Sequence, residues 1–417
     1  MADSWDSLYR EIHEHVAKDE MDIAGELTLR ALSLYPTKPD ALYLLTSTFR
    51  EKGMYKKARD YASLWDLSVN SMYNTIFIYE KMILNKELGC SKQDALTDFI
   101  SYYNTGLCSD YNSLENYVYP FSSHEIRSLY FPHVNDFQPT STSILPYMDG
   151  YLLNIRYVNY RIQADSSYLM MENGILSPYH KLCTRNFKCL VSKDFIPNHF
   201  EEMIADEPPR HKTNICGIED IRLYSDDSNI CFIAASCEYS YDGSIKQVRG
   251  IYDVESASLR NIVPLHSPKG RSVEKNWIPT GKTYIYSWHP FVLGSIEGSN
   301  FHTVLTYDTP LFFEHVRGST TLVLHEGYYY AMVHCMIDSR PRKYYHSLVK
   351  LDTNYRLQAY TVPLYFQNNH IEYTIGMAIQ DDTLICIVSQ NDCNPILLKI
   401  RLNTLSWLSI QSQTNPP

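Results

Sequence analysis

Four short stretches of the chain set carboxylates beside cations and amides. They are Gly217-Ile218-Glu219-Asp220-Ile221-Arg222-Leu223, Glu274-Lys275-Asn276-Trp277-Ile278-Pro279, Arg317-Gly318-Ser319-Thr320-Thr321 and Ile371-Glu372-Tyr373-Thr374-Ile375-Gly376. Further polar groups recur a strand length later: Arg156, Asn159 and Tyr160, Trp288 and His289, His334, and Gln390-Asn391-Asp392. Paired carboxylates suit proton traffic at a sugar whose transition state resembles an oxocarbenium ion, which makes Glu219, Asp220 and Glu372 candidate catalytic groups. A phosphorylated leaving group needs fixed positive charge, available from Arg222, Lys275, Arg317, Arg342, Lys343 and His346. Trp277, Trp288 and Tyr373 could stack on a sugar or a base. Arg156, Asn159, Tyr160, Glu274, Asn276, His289, His334, Asn391 and Asp392 could meet sugar hydroxyls. No Asp-x-Asp suited to holding a metal is found, and no metal ligand is assigned. Asp226-Asp227 reads as a turn.

The elements that must position these groups change character along the chain. Residues 1 to about 105 read as helix, with apolar residues at three- and four-residue spacing and few glycines. Leu42, Leu45 and Phe49 form one stripe, Gly53 permits a turn, and Tyr55, Ala58 and Ala62 begin the next. A shift of 34 residues places Ala24, Ala31 and Pro36 at the small-residue and terminal-proline positions of a tetratricopeptide-like repeat, and a third pair covers 73–104. An ordinary helical bundle is the alternative.

From about 140 onward, short apolar runs alternate with Gly, Asp, Asn and Ser, an all-β texture. A polar turn followed by a strand recurs five times. Measured from Gly150, Ser228, Lys282, Gly327 and Asp382, the steps are 78, 54, 45 and 55 residues. That spacing suits four-stranded propeller blades, with an insertion within 163–213. The predicted fold class is α+β multidomain: an N-terminal tetratricopeptide-like helical domain at 1–107, a linker or insertion at 108–139, and an all-β five-bladed propeller at 140–413. Such a propeller would bring the polar groups of all blades onto one axial site. Burying them unpaired would cost several kcal/mol each, so a ligand or a mutual network must meet them.

Several of these strings resemble known families. Gly217-Ile218-Glu219-Asp220-Ile221-Arg222, followed by the Lys275 motif with Pro279, resembles the five-bladed mannoside phosphorylases and the β-1,2-mannosyltransferases. Those strings, with Tyr286-Ser287-Trp288-His289-Pro290, Arg317-Gly318-Ser319, Pro341-Arg342-Lys343-Tyr344-Tyr345-His346 and the Ile371 motif, resemble giant-virus and microbial proteins that fuse tetratricopeptide-like helices to a glycosyltransferase propeller. The resemblance implies a general acid/base at Asp220 and a phosphate side at Arg222 and Lys275. Ile221 stands where the phosphorylases usually carry Pro, and Asn276 where many carry Asp.

The expected function is a hexosyltransferase-type glycosyltransferase, with a nucleotide sugar as co-substrate and no other cofactor. The resemblance suggests GDP-mannose as donor. The acceptor is a glycan or another molecule, and the helical domain would serve a protein partner or a homodimer. The alternatives are a mannoside phosphorylase or glycosidase, and a non-catalytic carbohydrate- or protein-binding scaffold.

Composition bounds the remaining classes. The 417 residues carry 37 Lys+Arg against 47 Asp+Glu, a net charge of −10, which speaks against a nucleic-acid coat. No apolar run reaches the about 18 residues of a membrane span, and Met1-Ala2-Asp3-Ser4 lacks signal-peptide character. Ten scattered cysteines without C-x-x-C suggest reduced thiols and a cytoplasmic location. His13-Glu14-His15 lacks zinc-protease spacing, and neither a Gly-rich phosphate loop nor a nucleophile elbow is present.

Overall fold

The computed structural model describes residues 4–65, 73–89, 91–106, 110–226, 229–367 and 370–410. Residues 1–3, 66–72 and 90 of the region read as helical, the turn residues Asp227 and Ser228, and the expected domain end at 411–413 lie outside these. The chain divides into two compact units, Met1–Val118 and Tyr119–Pro417.

The first unit is helical: α1 (Trp5–Ala17), α2 (Met21–Leu34), α3 (Asp40–Glu51), α4 (Tyr55–Ala62), α5 (Tyr73–Glu87) and α6 (Lys92–Tyr103). Local signals set their ends. The Ser4 hydroxyl accepts from the Ser7 amide ahead of α1, and Ser91 does the same for Asp94 ahead of α6. Gly53, at φ +70°, turns the chain between α3 and α4, a conformation that costs other residues more. The expected stripe of Leu42, Leu45 and Phe49 is buried, and it packs with Ala24, Ala31, Ala58 and Ala62 in one core. A residue without a long side chain at those four places lets helix backbones approach closely. No described helix is long and apolar enough to cross a membrane.

The second unit is β-rich and built from successive antiparallel meanders. The first runs Gln138–Tyr147, Gly150–Val158, Leu182–Ser192, Pro197–Ala205. A short parallel pairing of Ile204 and Ala205 with Ser258 and Leu259 joins it to the second, Glu219–Asp226, Asn229–Ser236, Lys246–Asp253, Ser258–Pro264. The third comprises Ile278–Pro279, Thr283–Trp288, Phe291–Glu297 and Asn300–Tyr307. The fourth comprises Val316–Gly318, Tyr328–Ile337, Lys343–Leu351 and Leu357–Thr361, edged by Trp407–Ser409. The last meander, Glu372–Gln380, Thr383–Gln390 and Cys393–Arg401, takes its fourth strand from the front of the unit, His124–Ser128. A small sheet of Tyr160–Ile162, Tyr168–Glu172 and Ile175–Ser177 is inserted in the first meander.

The five turn-and-strand repeats thus supply the second strand of each meander, and the polar motifs ahead of them fall on or beside the first. Turn chemistry explains the registers. Glu326-Gly327, Asp381-Asp382 and Asn391-Asp392 each have both residues at positive φ, as a two-residue hairpin turn requires. The first strands lie close together. A Cβ on Gly376 would meet the Ile144 amide nitrogen and the Thr142 carbonyl, and the Ser143 hydroxyl accepts from the Leu223 amide at 2.9 Å. No disulfide joins any two of the eight described cysteines.

Candidate functional site

Where the first strands converge lies a cavity of about 460 Å³. Eleven of the residues singled out in the sequence line it: Arg156, Tyr160, Glu219, Asp220, Lys275, Asn276, Arg317, His334, Arg342, Tyr373 and Asp392.

Asp220 reaches the cavity through an irregular strand. Gly217, at φ +92°, begins the approach, and a Cβ there would strike the Thr184 carbonyl. The register with Asn229–Ser236 then shifts between Glu219 and Arg222, a bulge that re-aims side chains. Asp220 itself adopts φ +53° and Asn276 φ +70°. Asx residues tolerate this region best, yet two such positions side by side at a cavity are local strain of the kind found at functional sites.

A buried chain of polar contacts fixes one wall. Arg156 donates from Nη1 to Asp220 Oδ1 at 2.9 Å, and its Nη2 lies 3.8 Å from Glu219 Oε2. Tyr160 donates to Asp392 Oδ2 at 2.7 Å, and Arg156 Nη2 is 3.5 Å from the Tyr160 hydroxyl. Asp392 can reach Tyr160 because it occupies the second place of the Asn391-Asp392 turn. Burial opposes charge on Arg156, but the surrounding Tyr160, Asp220, Glu219 and Asp392 hold its pKa well above the ordinary arginine value. Burial likewise pushes Tyr160 well above the usual phenol, with Asp392 adding to the effect against Arg156.

The cavity lining also carries cations. Lys275 and Arg317 make no side-chain hydrogen bond or ion pair among the described residues. Arg342 donates from Nη2 to the Tyr168 hydroxyl at 3.3 Å. His334 pairs its Nδ1 with the Ser319 hydroxyl at 2.8 Å. Its pKa lies well below the usual imidazole value, first through burial and then through His346, Arg317, Arg222 and Lys275, so the ring is neutral near pH 7. Tyr344 is raised chiefly by burial, and its hydroxyl also feels the charges of Arg342, Asp392, Arg317 and Asp220.

The other expected residues lie elsewhere. Arg222 is fully buried and spent on protein: Nε donates to the Ser319 carbonyl at 2.6 Å, and Nη2 to Asn276 Oδ1 at 3.1 Å and the Tyr373 hydroxyl at 2.8 Å. Glu372 accepts from the Phe366 and Gln367 amides at 2.7 and 2.8 Å. His346 is buried and stacked on Phe366. Asn159 bridges the inserted sheet, donating to the Met171 and Lys181 carbonyls and accepting from the Cys183 amide. Trp277 is a core side chain. The Asn391 amide donates to the Ile371 carbonyl. Glu274, Trp288 and His289 line a neighbouring hollow of about 470 Å³, which shares Lys275, Asn276 and Arg317 with the cavity. Tyr168, Tyr344 and Met336 line the cavity without having been singled out. Tyr344 was legible as the neighbour of the basic Arg342-Lys343 pair.

No protein-family model matches the chain, and neither does any curated protein sequence. Among solved structures it is similar to the β-1,2-mannobiose phosphorylase from Listeria innocua (12% identity, 66% of this chain and 93% of that one, TM-score 0.41). It is also similar to MPT-4, a mannose phosphorylase from Leishmania mexicana in complex with a phosphate ion (12%, 69% and 90%, TM-score 0.41). A third is a glycosyl hydrolase from Bacteroides ovatus (9%, 63% and 84%, TM-score 0.41).

The expected glycosyltransferase with a nucleotide-sugar donor is corrected here. The structures named above are phosphorylases and a hydrolase, not transferases. Of the three aromatic residues expected to stack on a sugar or a base, Tyr373 lines the central cavity, Trp277 is in the core and Trp288 in the neighbouring hollow. The fusion of tetratricopeptide-like helices to a transferase likewise finds no support in these similarities.

Proposed function

We propose that the chain cleaves a glycoside with inorganic phosphate as the attacking group. The observation that carries this reading is the pair Lys275 and Arg317, which face the cavity of Asp220 without a protein partner among the described residues. Unpaired cations beside a carboxylate suit an anionic nucleophile, because fixed positive charge lowers the cost of bringing phosphate to the anomeric carbon. In this reaction the bond from the anomeric carbon to the leaving oxygen breaks and a bond to a phosphate oxygen forms. The leaving oxygen gains a proton through Asp220, and that proton is replaced from the hydrogen phosphate. Arg156 holds the carboxyl group in place, Arg342 joins Lys275 and Arg317 around the phosphate, and Tyr160, Asn276, His334, Tyr373 and Asp392 meet sugar hydroxyls.

A mannoside is the substrate class suggested by the Gly217–Arg222 and Glu274–Pro279 strings. Glu219, beside Asp220, favours a second reading in which it activates water and the enzyme is a hydrolase.

Five successive meanders, the last sharing a sheet with the first strand of the unit, support a five-bladed propeller. Buried Ala24 and Ala58, 34 residues apart, support a tetratricopeptide-like helical unit.

The test is incubation with β-1,2-mannobiose with and without inorganic phosphate. Phosphate-dependent release of mannose 1-phosphate is expected. Free mannose without phosphate dependence favours the hydrolase, and no product from a panel of mannosides removes both readings, leaving a binding scaffold.

A further inference from the structure

The hollow beside the cavity has a charge balance opposite to that of the chain as a whole. Across the sequence acidic residues outnumber basic ones, 47 to 37. Around this hollow the order is reversed: Lys269, Arg271, Lys275 and Arg317 face only Glu274 and Glu314. Glu274 is buried and already engaged, accepting from the Tyr286 hydroxyl at 3.3 Å and the Trp277 indole at 3.4 Å. None of the four cations forms an ion pair with a carboxylate among the described residues. The Arg271 charge nevertheless reaches inward, since it lowers the Tyr286 pKa against the rise caused by burial and Glu274.

Four cations set against two carboxylates leave an excess of like charge that repels, and an anionic ligand offsets that repulsion. Lys275 and Arg317 belong to both hollows, so a ligand could extend from one into the other past Asn276. We propose that this hollow is a second anion subsite, in which Lys269 and Arg271 hold a phosphoryl group carried by the leaving-group side of the substrate. The preferred substrate is then a glycoside whose leaving sugar is phosphorylated. This rests on the reading of the central cavity as a glycoside-cleaving site, but its binding part is tested separately. Guanidinium and ammonium groups supply the charge-assisted hydrogen bonds that a phosphate ester accepts.

The experiment compares equilibrium binding of mannose 6-phosphate and of mannose to the full chain at low salt, and to the double variant Lys269→Ala/Arg271→Ala. Both side chains are exposed, so the variant is expected to keep the parent melting temperature. Mannose 6-phosphate should bind at least tenfold more tightly than mannose, with an advantage that shrinks as salt is added and that falls below twofold in the double variant. Equal binding of the two sugars overturns the proposal, as does an advantage that survives in the double variant. Preferential binding lost in the variant, without any glycoside cleavage, upholds the subsite and removes the cleavage reading instead.

Discussion

Arg156 Nη1 and Asp220 Oδ1 lie 2.9 Å apart, although 64 residues separate them in the chain and both side chains are more than nine-tenths buried. The contact joins the second strand of the first meander to the first strand of the second. It ties the candidate catalytic carboxylate to the fold, so the two can be separated only by a substitution that spares the pairing.

Asp220→Asn keeps an oxygen for Arg156 and removes the transferable proton. Sugar 1-phosphate release should fall about 10²–10⁴-fold, the usual contribution of a positioned acid or base. KM should change little and the melting temperature should stay near that of the parent. Unchanged turnover would remove Asp220 from the mechanism.

Arg156→Met breaks the same pairing from the other side. It leaves Asp220 buried without its counter-charge, a loss of about 3–5 kcal/mol by urea unfolding. Tyr160→Phe removes one neutral donor from Asp392 and should cost roughly 1–3 kcal/mol, less than the arginine change.

Lys275→Ala and Arg317→Ala should each raise KM for inorganic phosphate. One charge-assisted contact of about 1.5–3 kcal/mol corresponds to roughly a tenfold to hundredfold increase. Stability should hold, because neither side chain has a protein partner among the described residues. Phosphate saturation curves that match the parent would place the anion elsewhere.

Arg222→Lys should act on stability rather than on phosphate affinity. A single ammonium cannot serve the Ser319 carbonyl, Asn276 Oδ1 and the Tyr373 hydroxyl together, and the expected loss is about 2–3 kcal/mol. A selective rise in KM for phosphate at unchanged stability would contradict this structural role.

His346 sets a pH dependence. Burial lowers its pKa from about 6.5 to about 4 in the folded chain. Below pH 6.5 the unfolded chain takes up a proton that the folded chain refuses until about pH 4, so stability should decline as pH falls through that window. His334, lowered by burial and nearby cations, acts in the same direction. His346→Leu should therefore flatten the decline without abolishing it, as followed by urea midpoints between pH 7 and pH 4.

Much of the cavity was legible because hairpin turns have strong local chemistry. Asp381-Asp382 announces its turn, and the spacing between turns then places Asp220 and Tyr373 on first strands and His334 on a second strand. Which face each side chain takes was much less legible. Successive residues in a strand point to opposite sides, so Tyr373 lines the cavity while its neighbour Glu372 turns away to cap the loop at Phe366 and Gln367. The bulge between Glu219 and Arg222 breaks even that alternation. It sends Arg222 between strands, where charge placed for a phosphate would have read the same in the sequence.

By itself the sequence determined the succession of helical and β-rich regions, the turns, and the collection of ionisable residues that could serve a sugar and an anion. These depend on local periodicity and on backbone preferences of single residues. Only the tertiary structure decided that Arg156 neutralises Asp220, that Arg222 and Glu372 are structural, and that Lys275 and Arg317 stay unpaired. Pairing is a matter of distance between strands remote in sequence, and desolvation makes each buried charge find its partner there.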